Sequence, residues 1–539
     1  MTIAIIGVAV LALLGAGAAA LAGRRHYAQR ASWLSLRAAV RRRLRGLQLF
    51  PVLALSLACG VAVAFLSWGI LRLLIHTSNN ETDPIDVTRL AFAVVAGVGG
   101  VVGLVVAYRR QRDLEQGRFI ERFDAAAAQL GHSDVAVRIA GVYAMAGVAD
   151  ESLSLRRQQC VDVLCGYLRL PYSSILGRNH QDSSVTRGER ALDGQIEEHH
   201  YAFRQNDKEV RQTIVRVVTG HLQQGVEYSW SGCNFDFTGV LFEDASFDGA
   251  TFSGKSISFQ GAMFSGTTTS FRDASFTGVN CSFRDATFNG RTASFSGAMF
   301  SAEITNFDGA IFSGERTSFR DATFSGQARF DSATFGAETT RFDGGAFGGG
   351  FTSFRGATFS GQIAKFDGGM FSGAALSFRD ATFNGQIAKF DGANFSGETT
   401  SFRSATFSGR ATGFHGVTFS GGSISFRGVT FSGGSISFRG STFSGQTTRF
   451  DGATFSGGHT NFRRVTFSGQ LTRFDGAIFS GSASFQKSYF GSGDVSFENP
   501  KQWDPGPTFD WDTRVPWRSE CWKPENVKPL KWPPSAVSR

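Results

Sequence analysis

Phenylalanine recurs through the second half of this chain with a beat that leaves few folds open. Phe237, Phe242, Phe247 and Phe252 lie five residues apart, and from Phe259 the spacing alternates seven and five through Phe264, Phe271 and Phe276 to Phe474 and Phe479. Two of the sevens shorten to six, at Phe330 and Phe485. The unit is therefore twelve residues, as in Ser318 to Gly326 followed by about three mostly polar residues. Repetition on this scale decides the fold before any other signal, because one unit cannot bury its apolar face alone. Composition agrees: of 539 residues 54 are Phe and 66 Gly, with only 11 Pro, whereas Gly averages ~7% in ordinary chains.

Two residues before the Phe that closes each five-step stands a small or β-branched residue: Ala262, Ala274, Ala286, Ala298, Ala310, Ala322, Ala333, and later Val417 and Val429. In an extended segment alternate side chains share a face, so this residue and the Phe point inward together. Phe247, Phe252, Phe276, Phe288, Phe324, Phe378, Phe383, Phe407, Phe431 and Phe455 represent the expected structural core stack. Ser-Gly or Asn-Gly usually follows, as at Ser253-Gly254, Asn289-Gly290 and Ser408-Gly409, and reads as a turn whose Gly is free to take positive φ. Outward positions are mainly Ser, Thr, Arg, Asp and Gln.

A small residue, a polar residue, Phe and two more polar or turn residues, as in Ala245-Ser246-Phe247-Asp248-Gly249 and Ala250-Thr251-Phe252-Ser253-Gly254, resembles the pentapeptide-repeat family. The likeness covers about Phe237 to Phe497. The order of apolar, helical and repetitive regions, with Val210 to Ile214 leading through His221-Leu222 to Trp230, is also similar to actinobacterial pentapeptide-repeat membrane proteins. The resemblance implies an all-β right-handed quadrilateral β-helix with four five-residue faces per coil. The two extra residues in every second step depart from that pattern and leave two geometries. One is a four-sided coil built from two units, twenty-four residues in all; the other is a flat two-sided solenoid with twelve residues per coil. Arg355, Asp367, Arg379, Asp391 and Arg403 occupy equivalent places in successive units, so the shorter coil stacks opposite charges and the longer one stacks like charges, at a cost of only a fraction of a kcal/mol on an exposed face. The regular fives at the start favour the square coil.

The formal charge of +9 belongs to no single surface. Residues 231–500 carry 21 basic and 21 acidic groups, so the excess lies toward the N-terminus, densest from Arg24 to Arg45. A nucleic-acid footprint is one reading of that stretch; flanking apolar runs favour a loop between membrane helices. The runs at 3–23, 47–70 and 90–108 are long enough to cross a ~30 Å hydrocarbon layer. Loop charges then put the basic first loop and everything after Arg109 in the cytoplasm. The expected organisation is a membrane anchor at 1–112, a cytoplasmic helical connector at 113–230, the repeat β-helix at 231–500 and a Trp/Pro-rich C-terminal cap or tail at 501–539, in a multi-pass plasma-membrane protein.

In the connector, helices are expected at Val135 to Val148, Leu153 to Leu170 and Lys208 to Leu222, with the polar stretch Tyr172 to Ala202 a loop or a poorly ordered insertion. Cys160 and Cys165 stand five apart, which is not a metal-knuckle spacing, and free buried thiols are expected. His199-His200 has no nearby partner ligand. No catalytic, cofactor-binding or metal-ligating residue, and no cofactor, is expected. The functional expectation is a non-enzymatic scaffold that presents the β-helix to an unidentified protein partner and touches the lipid bilayer through its anchor; no nucleic-acid partner is expected. Inhibition or modulation of DNA gyrase by DNA mimicry is the alternative that the family resemblance implies, and the charge-neutral repeat weighs against it. Ice binding through Thr ladders is a further idea, opposed by the expected topology.

Overall fold

A computed structural model describes residues 65, 68–69, 84–153, 155–172, 183–190, 196–202, 207–512 and 522–536. The chain divides into two units, 1–118 and 119–539.

Helix α1, Pro84–Leu130, is 47 residues long. The expected spans 3–23 and 47–70 lie outside the described residues, apart from 65 and 68–69. The third, 90–108, is no separate helix: α1 runs on from it without a break through Arg109, Arg110, Arg112, Asp113 and Glu115. Gly97, Gly99, Gly100 and Gly103 thin its apolar surface, and the charged sequel belongs to the same rod. Among the described residues no helix is long and apolar enough to cross a membrane. This overturns the expected multi-pass plasma-membrane placement and the topology drawn from it.

In the second unit α1 ends at Leu130, and α2 (Val135–Asp150), α3 (Leu155–Arg169) and α4 (Asp207–His221) follow. Asp134 caps α2, its carboxylate accepting the Ala136 N–H at 2.7 Å, which satisfies one orphan donor of the first turn. Val142, Met145, Leu164, Ile214 and Trp230 lie in one buried cluster. The Trp230 indole donates to Asp150 at 2.9 Å and stacks on His221. The polar stretch expected as a loop contains an antiparallel pair, β1 (Ser183–Arg190) with β2 (Ile196–Ala202), a ladder between polar segments that apolar periodicity does not signal.

From Phe235 the chain winds into a parallel β-solenoid of about 11 turns. Each turn contributes one short strand to each of four parallel sheets of 13, 12, 10 and 10 strands. Strands pair with those two repeat units further on, as in Phe288↔Phe312 and Phe383↔Phe407, so the twelve-residue unit is half a turn and the flat alternative is excluded. At ~4.8 Å per turn the stack is about 50 Å long. Seven-residue steps form two long faces of three-residue strands, and five-residue steps form two short faces of two-residue strands, as in Ala375–Ser377 and Thr382–Phe383. The opening run of fives shortens the first turn by two, pairing Leu241 with Met263. The shortened step at Phe330 removes one residue from a later turn, pairing Ile311 with Thr334.

Stacked phenyl rings fill the core. Phe378 lies 4.8 Å from Phe354 and 4.9 Å from Phe402 in the adjoining turns, and meets Phe366 and Phe390 edge to face. Burying one such ring contributes roughly 4–6 kcal/mol as an upper value, from ~150–250 Å² at ~25 cal/mol/Å². That gain must offset the ordering of many Gly, Ser and Thr residues. On the long faces the middle strand residue also points inward: Thr305, Thr352, Thr400 and Thr448 are buried, alternating along one sheet with Ala328, Leu376 and Ile424.

The Ser-Gly glycines serve a different purpose from the expected one. Gly314, Gly373 and Gly397, like Gly278 after Thr277, have ordinary φ, but a Cβ on any of them would fall about 2 Å from a backbone carbonyl oxygen of the preceding turn. These corners stack backbone on backbone. Positive φ sits instead two residues after the Phe that closes each long face, at Gly368 (64°) and Gly392 (67°), or at Asp321 (56°) and Asp380 (58°). Asp tolerates this left-handed region better than most residues.

At the C-terminal end Val527–Lys528 adds a last strand beside Val495–Ser496. Trp503 and Trp532 close on Phe497, and Trp511 and Trp532 on Phe509, so indole rings cover the final turns where a solenoid would otherwise end in open core.

Candidate interaction surface

All ten phenylalanines chosen to represent the core stack, from Phe247 and Phe252 to Phe455, are at most 2% exposed. They make the inside of the solenoid, and whatever meets a partner projects from its four outer faces and its corners.

Turn-on-turn register converts each outward position into a column along the axis. On one short face Thr334, Thr358, Thr382, Thr406, Thr430 and Thr454 stand in six successive turns. On the adjoining long face Ser353, Ser377, Ser401 and Ser425 form a second column. At the corner between these faces Arg355, Arg379, Arg403 and Arg427 form a third, held by corner backbone bonds such as Asp380 N–H to the Arg403 carbonyl and Ser404 N–H to the Arg427 carbonyl. All four arginines are exposed. Like charges thus stack, the arrangement that a turn of two units dictates.

The other Phe-bearing corner carries Asp343, Asp367 and Asp391 in successive turns, aligned by Gly344 N–H to the Asp367 carbonyl and Gly368 N–H to the Asp391 carbonyl. Here the strand beside the column supplies Arg341, Lys365 and Lys389, with Arg341 Nη2 2.5 Å from Asp343. Partial burial first, then the Asp391 charge, raise the Asp367 carboxyl above its ordinary value, against the lowering effects of the Asp391 N–H bond and Lys389. Burial likewise raises Asp308 and Asp451.

A cleft of about 250 Å³ lies where α4 meets the first turn, between Tyr172, Lys208, Arg211 and Glu243. Arg211 is 5% exposed. Its Nη2 donates to the carbonyls of Leu168 at 2.5 Å and Leu241 at 3.2 Å, so this side chain ties α3 to the first turn. The Tyr172 ring covers the guanidinium at 4.5 Å, and its hydroxyl donates to Glu243. Burial lowers the Arg211 pKa and, together with the bond to Glu243, raises that of Tyr172. Sequence reasoning singles out none of these four for a role, and no local motif marks them. The Val210-to-Ile214 stretch reads in sequence only as a lead into the repeats.

Cys160, Cys165, Cys233 and Cys281 are free and buried. Burial pushes the Cys160 thiol up to about 11, which suits packing and leaves little thiolate for chemistry near neutral pH. His199 and His200 pair with Thr186 and Val185 across the β1–β2 ladder. Among the described residues no group of three or more His, Cys, Asp or Glu side chains is placed to hold a metal ion.

A family model described as pentapeptide repeats (9 copies) matches residues 414–466. No curated protein and no solved structure matches the chain. The matched stretch lies within an array whose turns continue in the same register on both sides. The chain is a pentapeptide-repeat protein.

Proposed function

We propose that this protein is a non-catalytic scaffold whose solenoid presents its outer columns to a protein partner. The observation that carries the reading is the in-register repetition of outward side chains, six threonines deep on one short face. Such a surface offers one contact many times over on a rigid core, so its ordering entropy is met on folding and not on binding. Catalysis calls instead for one unrepeated constellation of unlike groups. The gyrase-directed alternative needs a continuous acidic surface, and the Asp343, Asp367 and Asp391 column is interleaved with Arg341, Lys365 and Lys389.

The test is affinity capture with the full chain against a variant carrying Thr382→Lys, Thr406→Lys and Thr430→Lys, whose circular dichroism matches wild type. A protein retained by the wild type at least tenfold above the variant supports the reading. Specific retention of no protein refutes it, and equal retention by both refutes the threonine face as the surface used.

A further inference from the structure

The Arg355, Arg379, Arg403 and Arg427 column differs from every other stretch of the same corner. Earlier and later turns place Gln260, Arg284, Asp308 and Asp331 before it and Asp451, Asp475 and Glu498 after it, so the corner changes sign on either side of four consecutive arginines. Stacking four like charges at ~4.8 Å intervals is mildly unfavourable in the free protein. The acidic column at the other corner relieves the same repulsion with a basic neighbour in each turn. The arginine column has far less relief: Asp380 alone pairs with it, 3.3 Å from Arg379 and 3.9 Å from Arg355. Among the described residues no carboxylate lies within ion-pair distance of Arg403 or Arg427, although Asp451, one turn on, interacts with the Arg427 charge at longer range.

The flanking column adds a second observation. Ser377, Ser401 and Ser425 each accept the backbone N–H of the following arginine on the hydroxyl oxygen, at 3.3–3.4 Å. A hydroxyl that accepts in this way keeps its own proton to give. The turns of Arg379, Arg403 and Arg427 therefore each offer a guanidinium fork and a hydroxyl proton, the donor set that carboxylates and phosphates accept, whereas beside Arg355 the Ser353 hydroxyl already donates to Asp331.

We propose that this strip binds an extended acidic segment of a protein partner, running along the solenoid axis with its carboxylates on the arginine column. The inference rests on the scaffold reading and names the face and the chemistry of the partner. Four arginines span about 14 Å, which an extended chain at ~3.3 Å per residue covers with four or five residues. An acidic peptide is favoured over a nucleic acid because the serine, arginine and threonine columns contain no aromatic ring on which a base could stack.

The test uses the full-length protein and a fluorescein-labelled octaglutamate peptide, read by fluorescence polarisation at 50 mM and 200 mM salt. The first variant is Arg403→Gln with Arg427→Gln, which introduces the residue that Gln260 already supplies at this corner. The second is Lys365→Gln with Lys389→Gln, which removes the same charge from the other corner. Saturable binding that weakens at least tenfold in the arginine variant, less than twofold in the lysine variant, and falls with salt supports the proposal. It is overturned by no binding to wild type, by equal weakening in both variants, or by tighter binding of a single-stranded oligonucleotide of equal charge. Such a failure leaves the threonine-face capture experiment unaffected, so a scaffold using another face remains distinguishable from no scaffold at all.

Discussion

Replacing Phe378 with alanine probes the energetic unit of the solenoid in mid-stack. The ring is fully buried, sandwiched at 4.8 and 4.9 Å between Phe354 and Phe402 and met at its edges by Phe366 and Phe390. Removing it forfeits the transfer free energy of the ring and leaves a cavity that turns fixed by backbone bonds on all four faces cannot close. A loss of ~3–5 kcal/mol follows. Specific unfolding entropy is ~2.1 cal/mol/K per residue, so about 11 turns of two units each carry roughly 0.5–0.6 kcal/mol/K, and a ~4 kcal/mol loss lowers the melting midpoint by about 7 °C if the solenoid melts as one unit. A stack of nearest-neighbour modules can also open locally, in which case the loss emerges as faster amide exchange in the turns holding Phe354 and Phe402. Calorimetry and hydrogen exchange on the same preparation separate these outcomes. A midpoint shift below about 1 °C together with unchanged exchange in those turns would refute the claim that stacked rings hold the solenoid together.

The two classes of glycine should respond differently to substitution. Gly397→Ala puts a Cβ 2.0 Å from the Gly373 carbonyl oxygen and is expected to cost ~1–3 kcal/mol or more in chemical denaturation, while Gly392→Asp, which copies Asp380 at the same positive φ with no atom within 4 Å of the new Cβ, should cost under about 1 kcal/mol. Asp367→Asn should raise the melting midpoint at pH 7. A carboxyl whose folded pKa is raised binds its proton more tightly when folded, so its ionisation penalises folding above that pKa, and the advantage of Asn should shrink as pH falls toward the ordinary Asp value near 4; an advantage independent of pH would contradict the assignment.

Much of the solenoid is legible in the Phe spacing because each ring must find its own kind one turn away, and only a four-sided turn stacks alternate units while also accommodating an opening run of fives. The inward Ala and Val residues follow from alternation: Ala274, Ala322 and Val417 are all fully buried. The corner glycines mislead because turn chemistry is local, whereas the contact that excludes a side chain at Gly278 comes from Gly254 one turn earlier. Thr305 and Thr352 are hidden as core residues because Thr reads as outward in a pattern drawn around Phe. The apolar run at 90–108 suggests a membrane span because length and hydropathy ignore what a helix continues into. The strip formed by Ser377, Arg379, Ser401 and Arg403 becomes visible only when the turn length fixes which residues are neighbours.

The stack tolerates turns shortened by one or two residues, and this has a further consequence. A residue lost from a long face shifts the register of a single circuit, after which the rings are again aligned, so the cross-section does not depend on an unbroken count. Gain or loss of one whole circuit then lengthens or shortens the rod by ~4.8 Å without disturbing either end. A fold of this kind is a ruler with fixed graduations, and the distance it spans is open to selection independently of the chemistry carried on its sides.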